Sequence, residues 1–110
     1  MQKEITFLKT IADQNRLAIL YLLQDKELCV CELTQVIPLT QGALSIQLKN
    51  LSNIGLLKSR KQSKWVFYTL ATNIDFFHKS TLMALFSEIE NDAFIQKLQN
   101  TQIKEQVCKN

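Results

Sequence analysis

At 110 residues the chain is the size of one ordinary domain, which excludes an enzyme built around a cleft between two domains. Its 46% hydrophobic and 21% charged residues exclude a disordered chain, and the longest apolar run, Leu17 to Leu23, is seven residues where a bilayer span needs roughly 20. The net charge of +3 is unevenly spread: residues 1–32 and 75–110 each carry −1, while residues 33–74 hold Lys49, Lys58, Arg60, Lys61 and Lys64 with no Asp or Glu. An acid-free basic centre between near-neutral ends suits a surface that meets phosphates, and equally a solvated face of a small domain. No apolar signal core follows Met1-Gln2-Lys3-Glu4 and no prenylation box closes the chain, so a soluble cytoplasmic protein without a membrane partner is expected.

Two glycines and one proline are too few for the many tight turns of an all-β fold and favour a mainly helical one. Ile5, Leu8 and Ala12 suggest a short first helix. Asp13 can cap a second through Arg16, Leu17, Leu20 and Leu23, which is apolar on more than one face. Val30, Leu33, Thr34 and Ile37 repeat the helical period and stop at Pro38, because the residue before proline is pushed out of the α region. Thr40 is a good N-cap for a helix buried at Leu44, Leu48 and Leu51, and Gly55 is placed to end it. Two helices joined across Pro38-Leu39 have helix-turn-helix spacing.

The period then changes. Leu56–Arg60 and Trp65–Leu70 read as two short strands joined by the basic loop Lys61-Gln62-Ser63-Lys64. A two-residue turn with positive φ usually takes Gly or Asn, and Gln62-Ser63 supplies neither, so a longer or less ordered loop is expected. From Asn73 a long helix carries Leu82, Phe86, Ile89 and Ala93 on one stripe. The polar tail, about 101–110, is expected to fray. The whole chain is read as a single domain, mainly α with a small β-hairpin, the arrangement of a winged helix.

Four blocks carry a resemblance to a known family. They are Ala12-Asp13-Gln14-Asn15-Arg16-Leu17-Ala18-Ile19-Leu20, Glu27-Leu28-Cys29-Val30-Cys31-Glu32-Leu33, Ser45-Ile46-Gln47-Leu48-Lys49-Asn50-Leu51, and Gly55-Leu56-Leu57 leading into Trp65-Val66-Phe67-Tyr68. In this order and spacing, over about residues 5–72, the chain resembles the ArsR/SmtB metalloregulatory repressors. The resemblance implies a homodimer paired through its first and last helices, bound to the two half-sites of an imperfectly palindromic double-stranded DNA operator and released by a soft metal ion or metalloid.

On the recognition helix Gln41, Ser45 and Gln47 can present donors and acceptors to base edges, and a glutamine can read adenine in a bidentate way. Ile46 lies off the leucine stripe, free to press on a thymine methyl or to pack on the neighbouring helix. Gly42 allows close approach to a phosphate. Gln47 stands where the family often has histidine, so base preference does not carry over. Lys49 and Lys58, with Arg60, Lys61 and Lys64 of the hairpin, would supply sequence-independent phosphate contacts.

The cysteines number three and cannot all pair within one chain. Cys29 and Cys31 flank Val30 and so fall off the expected buried face of the third helix. Residues two apart in a helix point about 200° apart, so both thiols can hold one ion only if Cys29 precedes the helix or its first turn opens. A helix N-terminus favours thiolate formation, which Glu27 and Glu32 oppose. Thiolates select thiophilic ions, with As(III) or Sb(III) favoured and Cd(II) or Pb(II) possible. In the family's arsenic sensors this block resembles Cys-x-Cys-x-x-Cys, but the third position here is Thr34, which leaves Cys108, from the same or the partner chain, as the proposed third ligand, or none. His78 near Asp75 is a lone histidine and reads as a surface or dimer-interface residue rather than half of a zinc site. Two alternatives stay open: a redox- or persulfide-responsive repressor of the same fold, and a small thiol oxidoreductase. A βαβ setting for the thiols, a phosphate loop and a Ser/His/Asp set are all missing, so no enzymatic role is expected.

Overall fold

Short polar side chains set where the helices begin. Asp13 accepts from Arg16 N at 2.9 Å, Thr40 from Ala43 N at 3.1 Å, Asp75 from His78 N at 2.9 Å and Asp92 from Phe94 N at 2.9 Å. Each such cap contributes about 1 kcal/mol relative to alanine. The computed structural model describes residues 1–104, and in chain order its elements are α1 (Gln2–Ile11), α2 (Gln14–Leu23), β1 (Leu28–Cys29), α3 (Val30–Leu33), α4 (Gln41–Asn53), β2 (Leu57–Gln62), β3 (Trp65–Leu70), α5 (Phe76–Ile89) and α6 (Ala93–Asn100). No helix among the described residues is long and apolar enough to cross a membrane.

Helix α2 is the centre of the core: Ala18 through Leu23 are all buried. Leu44, Leu48 and Leu51 of α4 are fully buried with it, as their i, i+4, i+7 spacing requires. The end of α4 is a Schellman motif. Gly55 takes φ +84°, its N–H bonds Ser52 O at 3.0 Å, and Leu56 N bonds Leu51 O at 3.0 Å. In α1 the buried stripe is Phe7 and Ile11 rather than Ile5, Leu8 and Ala12. The larger aromatic ring takes the core position and leaves Leu8 exposed.

Four further expectations are corrected. The third helix is a single turn, α3, continued toward Pro38 by turn hydrogen bonds from Gln35 N to Glu32 O and from Val36 N and Ile37 N to Leu33 O, and the chain ahead of it forms a strand. That strand, β1, makes the hairpin a three-stranded antiparallel sheet of order β1-β3-β2, with Leu28 opposite Tyr68 and Cys29 opposite Phe67. The hairpin turn is short: Lys61 and Gln62 pair with Val66 and Trp65, so only Ser63 and Lys64 remain, and Ser63 adopts φ +58°. The long C-terminal helix is two, since the Asp92 cap starts α6 three residues after α5 ends, which exposes Ala93 and buries Ile95 and Leu98.

Candidate nucleic-acid interface and thiol site

Helix α4 leaves Gln41, Gly42, Ser45, Ile46 and Lys49 on its exposed side, opposite the leucine stripe. Ile46 is 61% exposed and does not pack on a neighbouring helix. At Gly42 an added Cβ would meet nothing within 4 Å, so the fold itself does not require glycine there. Gln47 departs from the expected freely reading side chain. It is half-buried, and its Oε1 accepts from Arg16 Nη1 at 2.9 Å.

Strand alternation divides the basic residues of the hairpin. Lys61 and Lys64 are exposed at the tip, with Lys64 Nζ 5.4 Å from the Trp65 ring centroid. Arg60 is not brought to them. It pairs with Glu27 at 2.7 Å, donates to Gln62 Oε1 at 2.6 Å and lies 5.0 Å from the Phe67 centroid. The guanidinium beside Glu27 holds that carboxyl below the usual carboxylate range, and Glu27 in turn raises Arg60. Arg60 therefore lines a groove of about 600 Å³ together with Glu27, Glu32, Phe67, Gln99 and Ile103.

The sulfurs of Cys29 and Cys31 meet because Cys29 lies before the helix. It ends β1, serves as N-cap of α3, and its Sγ stands 3.5 Å from Cys31 Sγ. Contrary to the expected position off the buried face, Cys29 is only 5% exposed, its side chain fixed by the pairing with Phe67 rather than by helical period. Cys31 is half-buried. Glu32 is buried and its Oε1 accepts from Cys29 N at 3.0 Å, completing a capping box in which cysteine stands for serine. Burial raises the Cys29 thiol above its ordinary range, and the Glu32 carboxylate adds to this while the backbone N–H groups of Glu32 and Cys31 oppose it. Thr34, in the place of a third cysteine, donates from Oγ1 to Cys31 O at 2.7 Å and braces the turn. Cys108 lies outside the described residues, and among the described residues no group of three His, Cys, Asp or Glu is placed to hold a metal ion.

His78 is buried, not a surface residue. Its ring stacks on Phe7 at 4.0 Å, with Nδ1 3.5 Å from Asp75 Oδ1. In the described part of the tail Gln35 holds Lys104 by two 2.8 Å hydrogen bonds and Ile103 packs on the core. Arg16 and Gln35 are the residues that sequence reasoning missed as parts of these sites, and neither carried a signal. Glu32 was read for its charge alone, although its spacing from Cys29 is that of a capping box.

The model of the arsR family of bacterial regulatory proteins matches residues 13–59. The chain is 44% identical over 70 residues to the transcriptional activator HlyU of Vibrio cholerae, covering 64% of this chain and 65% of that protein. It is 44% identical over 71 residues to the arsenical resistance operon repressor of Escherichia coli K12, covering 64% and 61%. These two matches span slightly less than two thirds of each relative's length. To the cadmium resistance regulatory protein CadC of Listeria innocua it is 34% identical over 83 residues, covering 74% and 69%. The solved structure of reduced HlyU from Vibrio cholerae aligns with a TM-score of 0.65 and 36% identity, covering 82% of this chain and 87% of that one.

Proposed function

The chain belongs to the arsR family of DNA-binding bacterial transcriptional regulators, and from that membership we propose a homodimeric repressor of a metalloid- or metal-resistance operon, released from its operator by As(III) or Sb(III). The observation that carries the inducer reading is the 3.5 Å separation of Cys29 and Cys31 Sγ at the start of α3. A metal–sulfur bond of about 2.3 Å at a near-tetrahedral angle sets two bound sulfurs about 3.5–3.8 Å apart. In the reduced protein this spacing suits one thiophilic ion, with Cys108 as the proposed third ligand. An ion there acts on the junction from which α3 and the Pro38-Leu39 turn lead to α4, and so on Gln41 through Lys49 against two half-sites about one helical turn apart. Exposed Gln41, Ser45 and Ile46 read the groove. Gly42 permits close approach, while Lys49, Lys61 and Lys64 meet phosphates. Arg60, already paired with Glu27, contributes least.

The test is fluorescence anisotropy of the reduced protein on a duplex from its own promoter, with arsenite titrated into the complex and cadmium in parallel. Release at near-stoichiometric arsenite is expected. Tight binding that neither ion disturbs would overturn the inducer reading and leave DNA binding standing. A second reading, a repressor switched by oxidants or persulfide through the same cysteines, is supported by the likeness to HlyU of Vibrio cholerae, one of whose solved structures is of the reduced protein. Release by peroxide or polysulfide, reversed by dithiothreitol and indifferent to arsenite, would select it.

A further inference from the structure

A cleft of about 490 Å³ runs between α1 and the C-terminal half of α4, and its walls include Gln2, Thr6, Lys9, Arg16, Asn50 and Asn53. No Asp or Glu lines it, and among the described residues neither Lys9 nor Arg16 has an acidic partner within salt-bridge distance. Arg16 is half-buried and held by neutral acceptors, with Nε donating to Thr10 O and Nη1 to Gln47 Oε1. The Asp13 carboxylate takes the main-chain N–H of Arg16, not its guanidinium. The N–H groups on Nη2 meet no acceptor among the described residues and are not buried. A guanidinium fixed along one edge and open along the other is a preorganised fork for a phosphate.

The place of the cleft says whose phosphate. Gly42, Ile46, Asn50 and Asn53 follow i, i+4, i+8, i+11 and are all exposed, so the cleft lies at the far end of the stripe that begins with the groove-facing residues. Eleven residues of helix rise about 16 Å, more than the roughly 12 Å width of the major groove. With the start of α4 in the groove, its end passes over the strand that borders it. The exposed Leu8 stands about 100° round α1 from Lys9, so pairing of two copies through the apolar side of α1 leaves the cleft side open.

We propose that this cleft clamps a backbone phosphate of the operator: Arg16 grips through Nη2, Lys9 adds a second positive charge, and the Asn50 and Asn53 amides donate. It brings two cations from the near-neutral N-terminal third to the DNA surface. This rests on the DNA-binding reading above.

The experiment titrates the full dimer into operator duplexes that carry one uncharged methylphosphonate at each backbone position in turn. The wild type is expected to lose about tenfold at one phosphate per half-site, the scale of a charge-assisted contact. In Lys9→Gln and Arg16→Gln the same neutralisation should cost about twofold or less, while losses at the phosphates that depend on Lys61 persist. Lys9→Gln should also weaken operator and random duplex alike and reduce the slope of log K against log salt by about 1. Lys9 is exposed on α1, so its result stands even if Arg16→Gln fails to fold. Asn53→Asp, which sets a negative charge in the cleft, should weaken both duplexes too. The inference is overturned if no phosphate has its neutralisation cost removed in Lys9→Gln, or if that variant changes base preference. Inorganic phosphate exchanged for chloride at constant ionic strength should leave wild-type binding unchanged; displacement of the duplex by millimolar phosphate in the wild type but not in Lys9→Gln would make the cleft a free-anion site and overturn the clamp. Absence of salt-dependent duplex binding by the wild type would instead overturn the DNA-binding reading itself.

Discussion

Gln35 grips Lys104 at both main-chain positions: its Nε2 donates to Lys104 O and its Oε1 accepts from Lys104 N, each at 2.8 Å, across 69 residues of sequence. Gln35 stands four residues after Cys31, and Lys104 four residues before Cys108. Four extended residues span at most about 14 Å, the reach that a same-chain third ligand would have from Lys104. Gln35→Ala is expected to release the tail, visible as lost hydrogen-exchange protection at residues 101–104. If Cys108 serves the thiol pair, the arsenite needed for half-release should rise several-fold, as it should in Cys108→Ser. Unchanged release in both variants would leave the pair acting without it.

The pH dependence of ion binding follows from the state of Cys29. Its thiol is raised by burial, with the Glu32 carboxylate adding to the effect, so the protonated form dominates at neutral pH. Cadmium must displace that proton, and its affinity should keep climbing as pH rises from neutrality to beyond the ordinary thiol value of about 8.5. Glu32→Gln keeps the acceptor for Cys29 N but removes the charge, lowering the thiol and moving the profile toward lower pH. Alkylation of Cys29 by iodoacetamide at pH 7.5 should then quicken a few-fold. No change would show that burial alone sets the thiol.

Lys61 and Lys64 project from the hairpin tip without an acidic partner among the described residues. Lys61→Ala should weaken binding to operator and random duplex alike and reduce the slope of log K against log salt by about 1. A change in base preference would contradict a phosphate role. Arg60→Ala should affect DNA less than Lys61→Ala does, because Glu27 already neutralises Arg60.

Ser63 supplies the positive φ of the hairpin turn, at +58°, where glycine is the usual choice. Ser63→Gly should stabilise the protein by about 0.5 kcal/mol, the relief of Cβ strain exceeding the extra freedom given to the unfolded chain. Thermal unfolding at fixed protein concentration should show this as a rise of about 2–4 °C. Ser63→Val should move it the other way.

Local signals were legible in the sequence and long-range ones were not. The Asp13 and Thr40 caps, the Leu44, Leu48 and Leu51 stripe and the stop at Gly55 all lie within one element or at its ends. A two-residue strand such as β1 has no period to read, and this is why Cys29 was placed on the wrong side of the burial boundary. The break at Asp92 was hidden because apolar residues continue through α5 and α6 with nearly helical spacing. The Arg16–Gln47 hydrogen bond spans 31 residues and joins two polar side chains that no pattern relates. The exposed side of α4 was therefore visible residue by residue, while the contacts that cross between elements required the fold.

Cys29 is both the last residue of a strand and the cap of a helix. Its strand neighbour is Phe67, which on its other side is registered with Arg60 of the outer wing strand, while the helix it caps runs toward the turn before α4. A displacement of this one stretch of main chain is consequently shared by two levers, one ending at the groove-facing helix and the other at the wing. On the function proposed above, a single ligand at Cys29 would loosen the base-reading and backbone-gripping halves of the protein together, without any contact between them.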